Sequence, residues 1–397
     1  MNHALTTNKR IESIDILRGI VMIIMALDHV RDFTHITAGT QDPLDLQTTT
    51  PILFFTRFIT HFCAPIFVFL SGTSAYLQSQ RKTKNELSSF LIKRGLWLIF
   101  AEIFIVSFGV TFIPFNHFIM LQVIWSIGIS MVILGLLIHL RFNMILILGL
   151  VIVFGHNLLD ILESAAGFKS NIWWDLIHRQ SFHQYAKDRW LFIMYPFVPW
   201  TGLMLLGYCT GKFFSSEFAV EQRRKILIRL GIGIMLFFVV LRFSNVYGNP
   251  FPWSVQRNGL YTFLSFINVH KYPPSLLYMC ITIGPALLFL AWIEGIQNKF
   301  TGIMRVYGRT AFFYYLIHFY LAHSICAVLF FSRGHSMNDA LQAAKQNPFL
   351  FQIPGEGYSL GIVYLVWALL VISLYPLCKW YDGYKTKHTE KWWLSYL

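Results

Sequence analysis

Ten separate apolar stretches, most of them close to twenty residues long, constrain the fold of this chain more than any other feature. They run over 14–33, 51–79, 90–112, 118–138, 143–158, 190–211, 227–246, 274–295, 308–331 and 358–379. A soluble core has no room for so many in 397 residues. The mean hydropathy of +0.54 and the 55% hydrophobic content agree. The expected fold is all-α, a polytopic membrane protein of about ten transmembrane helices forming a single domain over 1–397. The formal charge of +13 then reports topology rather than nucleic-acid binding, because Lys and Arg gather in cytoplasmic loops. With the N-terminus inside, 21 of the 32 lysines and arginines fall on that side and 11 on the other, which predicts an N-in, C-in chain. The longer outer loops are then 34–50, 159–189, 247–273 and 332–357. Cys63, Cys209, Cys280, Cys326 and Cys378 all lie in apolar runs with no CxxC spacing, so neither a disulfide nor a bound metal is expected. The first run carries charges and no small-residue cleavage motif, and reads as a retained helix rather than a signal peptide.

That first run, Ile11 to Phe33, holds Glu12, Asp15, Arg18, Asp28, Arg31 and Asp32 as well as His29. Ionisable groups at membrane depth persist mainly where they face a bundle interior or a water-filled path. Arg18 and His29 are eleven positions apart, which returns them to within about 20° of one helix face, displaced by roughly 16 Å. Asp15 and Arg18 are spaced to pair across one turn, and Asp32 is spaced to orient the ring of His29. Asp28 and Asp32 beside Arg31 equally describe a solvated helix end.

In the second run Thr50 is placed to cap and Pro51 suits the first helical position. Arg57 and His61 then share a face. Pro65 lacks an N–H and collides with the carbonyl of His61, so the helix should kink there and leave that carbonyl needing another donor. Each histidine also has a bland role as a helix-to-helix hydrogen-bonding partner. Glu102 is a buried anomaly in the third run that could pair with Arg94. Arg309, Tyr314, Tyr315, His318 and His323 crowd polar groups into the ninth, where aromatic packing also accounts for them. Lys271-Tyr272-Pro273-Pro274-Ser275 opens the eighth as a binding element or a capping turn.

The run RIESIDILRGIVMIIMALDHVRDF, with DPLDL, RFITHFCAPIFVFLSGTSAYL, LQVIWSIGISM, LLGYCTGK, KYPPSLLY and GRTAFFYYLIH, resembles bacterial members of the heparan-alpha-glucosaminide N-acetyltransferase catalytic-domain family. The resemblance runs from about residue 8 to about 380 and is most specific in the first two runs. The Arg18 to His29 spacing also resembles the arginine and histidine motif of the bacterial integral-membrane sugar O-acyltransferases. These likenesses imply a transmembrane acyltransferase of the bacterial inner (cytoplasmic) membrane. It would move acetyl from cytoplasmic acetyl-CoA, with no metal, to an amino or hydroxyl group of an extracytoplasmic sugar or glycan, and a homodimer is one arrangement open to it. They imply catalytic roles for His29, His61 and Asp32, donor contacts from Arg18, Arg94 and Arg309, and acceptor contacts from Arg57, Lys271 and His318. His29 is expected to be either the base that deprotonates the acceptor or the nucleophile of an acetyl-imidazole. In animal members the position matching His29 looks like asparagine, that matching His61 looks like aspartate, and the reactive histidine follows the first run. His35 is therefore a third candidate, although its Thr-rich segment suggests simple solvent exposure. A proton-coupled transporter with an intramembrane His, Asp and Glu relay is the alternative. The chain shows no matching pair of interrupted helices that would favour it. Arg18, His29 and His61 are expected to line one cavity reaching the cytoplasmic side.

Overall fold

The computed structural model describes residues 11–113, 117–345 and 347–395. Its helices are α1 (Glu12–Thr34), α2 (Pro51–Ile59), α3 (Cys63–Ser79), α4 (Lys84–Phe100), α5 (Ser107–Thr111), α6 (Val123–Leu137), α7 (Phe142–Gly155), α8 (Leu158–Glu163), α9 (Ile172–Ile177), α10 (Phe197–Thr210), α11 (Val220–Ser244), α12 (Gly259–Ile267), α13 (Leu276–Ile293), α14 (Lys299–Arg309), α15 (Ala311–Ser332), α16 (Met337–Ala343) and α17 (Leu360–Lys387). Each of the ten apolar runs contains a helix. Six helical stretches, Pro51–Ser79, Phe142–Glu163, Val220–Ser244, Leu276–Ile293, Ala311–Ser332 and Leu360–Lys387, are long and apolar enough to cross a membrane.

Two runs begin as strands rather than as helices. Phe118–Leu121 (β1) and Arg189–Ile193 (β3) pair in parallel, and Ser181–Ala186 (β2) pairs with β3 in the antiparallel sense. Short apolar runs of this kind carry no periodicity that separates strand from helix. The β2–β3 turn, with Asp188 at φ 57°, makes β3 available, and β1 completes the sheet.

The kink expected ahead of Pro65 takes the form of a break between two helices. Thr50 Oγ1 accepts the Leu53 N–H at 3.3 Å, Pro51 opens α2, and a 3-10 turn over Thr60–Phe62 separates α2 from α3. The His61 carbonyl, denied its helical donor, takes the Tyr278 hydroxyl of α13 at 2.8 Å. A buried carbonyl left without a donor would cost about 1–3 kcal/mol, so this bond fixes where α13 meets the break.

At the opposite end of α1 the packing is backbone on backbone. A Cβ on Gly19 would lie 1.8 Å from the Met304 carbonyl oxygen, and one on Gly308 would lie 1.8 Å from that of Asp15. Only a glycine at each crossing lets α1 and α14 approach so closely. Arg242, 2% exposed at the end of α11, donates to the carbonyls of Phe251 (2.9 Å), Ser265 (2.9 Å), Phe266 (2.8 Å) and Asn268 (2.8 Å). This one guanidinium gathers the segment that leads into Lys271.

Candidate active site

A cavity of about 270 Å³ lies among α1, the α2–α3 break, α15 and the segments that close one end of the bundle. Its floor is apolar, formed by Met25, Ala64 and Phe67, with Val123 and Phe319 on the walls. Polar groups converge above it: Asp28, His29 and Asp32 from α1, Arg57 from α2, and Lys271 and Tyr272 from the segment before α13. Gly39, Phe349 and Gln352 come from two of the loops expected on the outer side.

The charges are arranged as a chain with one member left over. Arg57 and Arg31 both pair with Asp28, the latter at 2.8 Å, and Arg31 also meets Asp32 at 2.5 Å. Asp28, Arg31 and Arg57 are buried or nearly so, with side chains 11%, 5% and 12% exposed. Asp28 is therefore the anion of a buried cluster and not a solvated helix end. Lys271, 7% exposed, sets its ammonium 5.1 Å from the Tyr272 ring centre and meets no carboxylate among the described residues. Burying a cation is costly, and here the Tyr272 ring and the nearby Asp28 carboxylate offset part of that cost.

Among the described residues, His29 is the one histidine on the cavity wall. Its Nδ1 lies 2.6 Å from His318 Nε2, and its ring stacks on Phe319 at 4.2 Å between centres. The partner that orients this ring is therefore His318. Asp32 instead turns to Arg31.

Several of the expected placements are corrected by this geometry. Arg18 does not line the cavity. It binds Asp15 at 3.1 Å, Ser74 at 3.0 Å and the Gly308 carbonyl at 3.4 Å, seven residues below Met25, or about 10 Å by helical rise. A shared helix face set its direction, but α14 packs against that end of α1. His61, 1% exposed, is also off the wall, with Nδ1 3.0 Å from the Arg57 carbonyl and its ring between Phe58 and Tyr278. His318, 0% exposed, lies behind His29 and is not among the residues that line the cavity. Arg309 is held by Asp382 at 2.9 Å and Thr386 at 2.9 Å, and Arg94 lies on α4. His35 is 8% exposed and bonded to Thr37 at 2.8 Å, so it is neither solvated nor on the cavity.

Glu102, 0% exposed in a π-helical turn over Ala101–Val106, accepts the Trp125 N–H at 3.0 Å and so caps α6 instead of pairing with Arg94. The capping turn before α13 is also real, since Ser275 Oγ accepts the Tyr278 N–H at 3.0 Å while Lys271 faces the cavity. Among the described residues, one His and carboxylate group could hold a metal: Asp160, Glu163 and His178, with His178 Nδ1 3.0 Å from Glu163 and 4.0 Å from Asp160. None of the three lines the cavity.

With this arrangement in view, the family model described as heparan-alpha-glucosaminide N-acetyltransferase, catalytic, matches residues 10–254, more than half of the chain. The chain belongs to this family. Among curated proteins none matches. Membership implies a membrane acetyltransferase with acetyl-CoA as donor. The matched span includes Asp28, His29 and Arg57, whereas Lys271 and His318 lie beyond it.

Proposed function

We propose that the protein transfers acetyl from cytoplasmic acetyl-CoA to an amino or hydroxyl group of a sugar or glycan held in the cavity, on the far side of a bacterial inner membrane. The observation that carries this reading is a histidine and a buried ammonium lining one partly apolar, partly polar cavity in a chain of this acetyltransferase family. In the direct route the acceptor N–H or O–H gives its proton to His29 as its heteroatom attacks the thioester carbonyl. Lys271 faces the oxygen that becomes negative, the C–S bond then breaks, and the departing thiolate takes the proton from the His29 imidazolium. Asp32 and Arg57 bound the acceptor, and His61 supports Arg57 from behind. Arg18, Arg94 and Arg309 belong to the basic end that meets the CoA phosphates, which cannot enter hydrocarbon.

The test is release of CoA thiol by purified protein given acetyl-CoA and a panel of amino sugars and glycans. Transfer to at least one acceptor is expected, and thioester consumption with none of them would reject the reading. Lys271→Met should cost about 10²-fold in kcat, the scale of one lost oxyanion contact. Wild-type kcat in that variant would remove the lysine from the chemistry. Sequential kinetics are expected of direct transfer, whereas ping-pong kinetics with an acetyl group trapped on histidine would replace it by the covalent route.

The sidedness has its own test. With the native cysteines replaced, Thr83→Cys, in the turn before α4, should react with a membrane-impermeant thiol reagent only after the membrane is opened. Labelling in intact cells would invert the orientation.

A further inference from the structure

We infer that His318 is a positioning residue that fixes the tautomer of His29, leaving His29 Nε2 as the basic atom of the cavity. The inference rests on the reading of His29 as the proton acceptor and deepens it. It follows from what each atom in a short chain can donate. His318 Nδ1 lies 3.1 Å from the Tyr314 carbonyl oxygen. A carbonyl only accepts, so that nitrogen carries the hydrogen. In the neutral ring, Nε2 of His318 is then a bare lone pair, and it lies 2.6 Å from Nδ1 of His29. His29 Nδ1 must therefore donate, since the other tautomer would set two lone pairs against each other at that distance. What remains on His29 is a bare Nε2, which has no hydrogen-bond partner among the described residues and belongs to a ring on the cavity wall.

Packing holds the chain in this order. The His318 ring stacks on Tyr314 with centres 5.5 Å apart and planes 10° apart, and Phe319 stacks under His29. Because His318 is 0% exposed and off the cavity wall, its effect on substrate passes through His29. When His29 takes the acceptor proton on Nε2, the resulting imidazolium keeps its bond to His318, now charge-assisted and stronger. The other titratable and charged groups around the cavity are Asp28 and Asp32 of α1, with Arg31 paired to both, Arg57 of α2, Cys63 of α3, Tyr195 before α10, Lys271 and Tyr272 before α13, and Tyr315 of α15.

The first test needs no turnover, so it stands apart from the acetyl-transfer reading. Magnetic resonance of the 15N-histidine-labelled protein in bilayers, with the His29 signals assigned through His29→Gln, should show Nδ1 protonated and Nε2 bare at neutral pH. A bare Nδ1 with a protonated Nε2 would overturn the inference. The second test is kinetic. His318→Leu should lower kcat by about 10²-fold or more with little change in either KM, on the scale of general-base catalysis. Its acid limb in kcat/KM should also move to lower pH, because the imidazolium has lost an acceptor. His318→Gln, whose Oε1 takes the place of Nε2, should restore both, which also shows that the position tolerates substitution. Leucine and glutamine variants with the same rate and the same pH profile would leave His318 as packing alone.

Discussion

Replacing His29 by alanine is expected to reduce acetyl transfer by about 10²–10⁴-fold, the range that a positioned base supplies, while acetyl-CoA binding stays near the wild-type value. The split follows from distance along one helix. His29 lies at the polar level of the cavity, and Arg18, at the basic end, is roughly 16 Å away by rise. Loss of the imidazole would remove the proposed proton acceptor and leave Arg18, with its bonds to Asp15 and Ser74, untouched. Calorimetric titration of acetyl-CoA beside a thiol-release assay measures the two halves separately. A His29→Ala protein with unchanged turnover would return this residue to simple helix packing with His318. His61→Ala is the matched comparison, since that ring lies behind the wall between Phe58 and Tyr278 and its loss should leave a larger share of the rate.

A second large effect is expected at Asp28. Its carboxylate is shared by Arg31 and Arg57, and neither guanidinium side chain is more than 12% exposed. Asp28→Ala leaves Arg57 without its carboxylate and Arg31 with only Asp32, whose side chain is 57% exposed. Breaking a buried pair from one side typically costs about 3–5 kcal/mol, because the surviving charge remains in a medium that solvates it poorly. The loss should appear as a marked fall in unfolding temperature in detergent. Removing Arg57 as well, in Asp28→Ala with Arg57→Met, should recover part of it. A double variant no more stable than the single one would show that the two charges do not answer each other.

Much of the helical frame is legible in local sequence, because its causes are local. Apolar runs of membrane length, the Thr50-Pro51 start, the Asp15 to Arg18 spacing and the carbonyl displaced by Pro65 each act within a few residues, and the structure has all four. The site is less legible because its decisive contacts join distant segments. His29 and His318 are 289 positions apart, and nothing local marks either as the other's partner. Helical spacing gave Arg18 and His29 a common direction, yet direction does not say what packs there, and Gly19 and Gly308 bring α14 against one end. Asp28 stayed open between a solvated helix end and a buried role because Arg57, its partner, sits on another helix. Lys271 belonged to a recognisable capping turn, but only the closing of that segment over α1 makes its ammonium part of the cavity. The strands were hidden for a related reason, since a strand of four or five residues is defined by its neighbour across the sheet.

Arg242 bears on how the enzyme should respond to pH. The chain leading into Lys271 is tied down by the Arg242 guanidinium and four carbonyl oxygens, and the neighbouring His270 sets its Nε2 2.8 Å from the Tyr272 carbonyl oxygen. Carbonyls do not titrate, and an arginine keeps its charge throughout the neutral range. This anchor therefore has no protonation state to lose between mildly acidic and mildly basic solution. A rate that changes with pH in that window then reflects His270 or the groups of the cavity wall, and not the Arg242 anchor.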